Sequence, residues 1–91
     1  MTNDKVDEAL KRIVTEMEGW GTPTVRFSAD MCLSENDEAE AHALWMAKEA
    51  LIWGPERLER KMRWLGFIEG VLWTACDYTI NDLKELNKPS T

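Results

Sequence analysis

Apolar residues return every three or four positions between Val6 and Met17, so that Val6, Ala9, Leu10, Ile13, Val14 and Met17 fall on one stripe of a helix. Asp4, Asp7, Glu8, Lys11, Arg12 and Glu16 take the remaining surface, and the spacing predicts a helix over residues 4–18. Asn3 or Asp4 is the expected cap, because a short polar side chain there accepts an otherwise unpaired amide, and early acids suit the positive end of the helix dipole. Gly19 ends this helix, and Gly21 with Pro23 prevents its resumption.

Across residues 20–36 the helical period is lost. Residues 22–27 read as extended chain, since a residue before proline avoids the helical region and Thr, Val and Phe suit a strand. A lone strand has no partner here, which leaves an ordered loop draped over the helices or an edge that pairs with another molecule. Met31, Cys32 and Leu33 are expected to tuck into the core. Helix two begins at Ser34 or Asn36 and runs to Trp53, with Ser34 and Asp37 resembling a capping box. Its later half, residues 43–53, is apolar almost all round, as in a central helix or one that meets a second molecule.

Gly54 and Pro55 close helix two and open helix three, which is expected over residues 55–75. Leu58, Met62, Leu65, Ile68 and Leu72 form its stripe, Trp64, Phe67 and Val71 widen it, and Arg57, Arg60, Lys61 and Arg63 are expected to face water. Thr79 with Asp82 caps a short fourth helix over residues 80–87, whose Leu83 and Leu86 pack back. The expected fold is all-α: a compact bundle of three main helices plus a short C-terminal one. It forms a single helical domain over residues 1–91, with an irregular or extended loop at 19–35 and a frayed tail at 88–91.

Length changes this picture by making the core small, since a 91-residue domain leaves much of its surface in water and gains from a stabilising partner. No apolar run approaches the length a bilayer needs, and the first residues lack a basic region followed by an apolar stretch. The expectation is a cytosolic location with no membrane partner. Cys32 and Cys76 lie in unrelated contexts and are expected as buried or half-buried thiols. The net charge of −6 argues against a general phosphate-backbone binder, so no direct nucleic-acid partner is expected. The acidity is uneven: residues 1–50 carry 11 acids and 5 bases, residues 51–91 carry 6 of each, and such asymmetry can steer a basic partner.

Candidate chemistry is sparse. Two Glu-x-x-Glu pairs, Glu35/Glu38 and Glu56/Glu59, resemble the paired carboxylates with which all-α nucleotide pyrophosphohydrolases of the MazG kind hold magnesium. Both pairs fall at helix starts, where capping alone favours acids, and no acid on the neighbouring apolar stripe completes a cage. His42 has no Ser or Cys to activate and no second His for a metal, so it reads as a surface or internally satisfied histidine. No catalytic residue, metal ligand or cofactor is expected. Gly66 and Gly70, four apart in helix three, each cost a helix about 0.5–1 kcal/mol and call for a packing reason. That reason is contact with another helix of this chain, a homodimer or a partner. Of five tryptophans, Trp20 and Trp53 are the expected exposed anchors, and Trp64 and Trp73 the expected core residues.

Residues 63–73, RWLGFIEGVLW, followed by 78–87, YTINDLKELN, resemble the ending of small early accessory proteins encoded by tailed bacteriophages and prophages. The resemblance covers the last third of the chain and implies an accessory protein acting on a host bacterial protein by stoichiometric binding, as an inhibitor or modulator of a defence, nuclease or transcription protein. Trp20, Glu35, Asp37, Glu38, Glu40 and Trp53 are the expected contact. The alternatives are a homodimer without catalysis, built on Gly66 and Gly70 or on residues 24–27, and magnesium-dependent nucleotide hydrolysis.

Overall fold

Thr2 starts the first helix, because its hydroxyl accepts the amide of Lys5 at 3.2 Å; it takes the capping role expected of Asn3 or Asp4. The computed structural model describes residues 2–28 and 30–88. Its elements are α1 (Asn3–Gly19), α2 (Asn36–Ala50), a 3-10 turn (Pro55–Arg57), α3 (Leu58–Thr74) and α4 (Ile80–Leu86), with no strand among the described residues. Helix α1 buries the stripe read from its sequence, with Val14 alone half-buried. It ends at Gly19, as expected, and the chain turns away there: Gly21, at φ +80°, donates to the carbonyl of Glu18, and Thr22 reaches back to Met17.

The expected Ser34 box at the start of α2 is absent, because the cap position is Glu35 and makes no side-chain hydrogen bond. The helix also stops at Ala50, short of Trp53, and Ile52 in the following turn is 77 % exposed. Helix α2 packs on both α1 and α3, which also meet each other, and buries Ala41, Ala43, Leu44, Met46, Ala47 and Ala50. In α3 only Leu65, Ile68 and Leu72 of the expected stripe are buried; Met62 and Phe67 face outward.

Helix α3 ends with Cys76 at φ 65°, donating to the carbonyl of Trp73 while Asp77 donates to Leu72. Cysteine thus holds a left-handed cap position that glycine usually fills. Thr79 and Asp82 form the expected reciprocal box at α4. The expected frayed tail lies outside the described residues except for Lys88, whose amide donates to Glu85.

Lys61 reverses its expectation outright. Its side chain is fully buried, with Nζ 2.8 Å from an Asp7 oxygen and 3.0 Å from Asn3 Oδ1. The stem fills space between α1 and α3 while the ammonium is neutralised at the start of α1. Breaking a buried pair on one side leaves an uncompensated charge, whereas replacing both members with apolar groups is near neutral. Asp7→Ala is therefore expected to lower unfolding stability by about 3 kcal/mol, and Asp7→Leu with Lys61→Met to recover most of it, as read by urea denaturation.

Candidate functional site

The expected contact residues divide between separate places. Trp20, 48 % exposed beyond the end of α1, rests against the ring of Tyr78 with centroids 5.8 Å apart. With Asp37 and Glu40 it lines a hollow of about 310 Å³ beside residues 21–23. Glu35 and Asp37 are exposed and Glu38 is half-buried. Glu40 faces inward to Asp77: the shared hydrogen bond, burial, and the charges of Asp77 and Asp37 push its carboxyl from about 4.5 up to about 7. The Oδ2 of Asp77 is buried without a hydrogen-bond partner. Next to this pair the Tyr78 hydroxyl donates to Glu16, and burial with that hydrogen bond raises the phenol above its ordinary range.

The paired glutamates do not converge into a cage, and no group of three or more His, Cys, Asp or Glu among the described residues could hold a metal ion. His42 accepts the Phe27 amide through Nδ1 at 3.1 Å, and burial and Arg26 hold its pKa below the ordinary 6.5. It is a satisfied brace for the loop. That loop is draped, as one of the two readings had it: Val25 donates to the Ala41 carbonyl, and Lys48 bridges Thr24 and Glu18. Met31 and Cys32, expected inside, are exposed, and so is Cys76; Leu33 alone of that trio is half-buried.

Trp53 is no exposed anchor. It packs edge-on to Trp64 with centroids 4.6 Å apart, and Trp64 meets Trp45, which stacks on His42 at 5.5 Å. Three arginines cover this ladder: Arg26 over Trp45 at 5.1 Å, Arg57 over Trp53 at 5.6 Å, and Arg60 over Trp53 at 4.9 Å and Trp64 at 5.6 Å. Together they border a groove of about 490 Å³. The reading of the sequence missed it; the four-residue spacing of Arg60 and Trp64 was its one local signal, and Arg26 arrives only through the loop.

A second surface follows from Trp73, expected in the core but 52 % exposed, and Phe67, 58 % exposed. They border an apolar trough between α3 and the α2 side of the loop, formed by two adjoining hollows of about 370 and 490 Å³ that share Leu33, Ala39, Phe67 and Val71. Gly66 and Gly70 stand on exposed positions, and a Cβ added at either would meet nothing within 4 Å. Contact with another helix of this chain is therefore not what they serve.

No protein-family model, curated protein or solved structure matches the chain.

Two outcomes follow from this geometry. The native Glu40 carboxyl retains a proton that the unfolded chain loses above about pH 4.5, so its contribution to stability falls as pH rises toward and through about 7. Glu40→Gln keeps a donor toward Asp77 at every pH; thermal melts are expected to show it about 1 kcal/mol more stable than the parent near pH 8, the full shift being discounted for partial exposure, with a flatter profile between about pH 5 and 8. Gly66→Ala and Gly70→Ala should each raise stability by about 0.5–1 kcal/mol in denaturant titrations, since each gains helix propensity and meets open space.

Proposed function

We propose that the chain is a protein-interaction module of phage or prophage type, which binds one host bacterial protein stoichiometrically and thereby inhibits or redirects it. The observation that carries this reading is the outward face of α3, where Phe67 and Trp73 stand more than half exposed beside two glycines and an apolar trough. Scattered exposed apolar residues are ordinary, but a contiguous group bordering a trough is a surface that gains by being covered. The occupant proposed is a helix of the partner. Glycines four apart with nothing above them let another backbone approach closely, and a large aromatic beside each supplies contact area once it arrives.

Glu35 lines the trough, so basic residues flanking the partner's apolar ridge complete the match. This moves the proposed contact from Trp20 and Trp53 to Phe67 and Trp73. The module acts by occupancy, with no catalytic residue, metal or cofactor assigned to it. The open glycine face also favours a second reading, a homodimer in which two copies of α3 meet.

The test is capture of host proteins from bacterial lysate by the tagged chain, compared with its Phe67→Ala/Trp73→Ala form. The parent is expected to retain one stoichiometric host protein and the variant to lose it by about tenfold or more, with unchanged thermal unfolding because both side chains are already exposed. Undiminished capture by the variant overturns the α3 contact. Sedimentation of the parent as a dimer that the same two substitutions dissociate moves the reading to self-association.

A further inference from the structure

Arg26, Arg57 and Arg60 are exposed, and none forms an ion pair among the described residues, although the chain has 17 acids for 11 basic residues. By contrast Arg12 pairs with Glu16 and Arg63 with Glu59, each one turn away on its own helix. Three arginines from two segments instead converge on one aromatic wall. A guanidinium over an indole face is held in place by the ring quadrupole and keeps its N–H donors for an anion. The rings therefore preorganise the cations, and Glu49 is the one carboxylate lining the groove. His42, hydrogen-bonded through Nδ1 and stacked on Trp45, closes the inner end.

We propose that this groove binds a nucleotide unit, its phosphate held by Arg26, Arg57 and Arg60 and its base entering among the Trp45, Trp53 and Trp64 rings, where it takes the place of a guanidinium over one indole face as that guanidinium turns to the phosphate. The volume, about 490 Å³, lies in the range of small-ligand sites, roughly 300–1,000 Å³, and admits one such unit. Forked donors suit phosphate oxygens, and the flat aromatic surface beside them suits a base, which stacks without regard to its identity. A free anion leaves the aromatic wall unused, and so does an acidic peptide. A duplex does not fit, since the net charge of −6 repels an extended polyanion and its bases present no free face. A free mononucleotide and a nucleotide within a single strand share this chemistry. The site borders the trough at Phe27 and His42 but uses neither Phe67 nor Trp73, and it stands whether or not the outward α3 face binds a partner.

Titration of the isotopically labelled chain with AMP and with hexadeoxyadenylate tests the assignment, read on the indole N–H resonances. Those of Trp45, Trp53 and Trp64 are expected to move with saturation, while those of Trp20 and Trp73 stay. Adenosine and inorganic phosphate should each bind about tenfold or more weakly than AMP, because each lacks half of the recognition. Arg26→Gln/Arg60→Gln should lose at least about tenfold in affinity while still melting cooperatively, at a slightly lower midpoint because three guanidinium–indole contacts are lost, and Arg63→Gln should bind as the parent does. Equal affinity for AMP and the hexamer assigns a free nucleotide; tighter, more salt-sensitive binding of the hexamer assigns a single strand. The proposal is overturned by unmoved groove resonances at millimolar AMP and hexamer, by inorganic phosphate binding as well as AMP, or by an aspartate-rich peptide outcompeting both nucleotides.

Discussion

Four buried alanines in α2 set how this molecule is put together. Ala41, Ala43, Ala47 and Ala50 have little side chain, so α1 and α3 close on α2 without room for a ring at the centre. The interior is then filled by Leu10, Ile13, Met17, Leu44, Ile68 and Leu72, each worth about 1.5–3 kcal/mol when fully buried. Tryptophans, too large for that space, are displaced to the rim. There one side of the ring covers the core and the other meets arginines, the loop or solvent. Both candidate surfaces are consequences of this exclusion.

The Lys61 pair is the second constraint. It joins the first turn of α1 to the early part of α3, regions 54 residues apart in sequence. Its favourable energy over apolar side chains is small, and what it adds is position, since the buried ammonium meets Asp7 and Asn3 together. At the other end of α3, Asn87 donates to Glu69 and to the Leu83 carbonyl, so α4 is tied down by a polar contact as well as by Leu86.

The two surfaces share a wall. Phe27 and His42 line both the apolar trough and the arginine groove, and the hydrogen bond between them fixes the loop where the two meet. The Glu40 carboxyl, which Asp77 helps to keep protonated, lines a third hollow beside Trp20. The acidic chain thus keeps its uncompensated arginines on one aromatic wall and its exposed apolar area on another, an arrangement that net charge conceals.

Local rules were legible in the residues alone. The α1 stripe, the Thr79 and Asp82 box, the break at Gly54 and Pro55, and the absence of a helical period across the loop all depend on contacts within a few positions. Position in three dimensions was not legible where one residue type serves opposite surroundings. Lys61 looks like its neighbours Arg60 and Arg63 until Asp7 is placed against it, and Trp73 looks like a core residue until α2 is filled with alanine. The glycines of α3 carry the same ambiguity, since a missing side chain does not say which molecule comes near. Short-range periodicity determined the existence of the four helices, and capping chemistry the start of α4. Only the tertiary structure decided which cations are buried, which rings are exposed and which arginines converge, because those outcomes depend on the volumes and charges of residues far away in the chain.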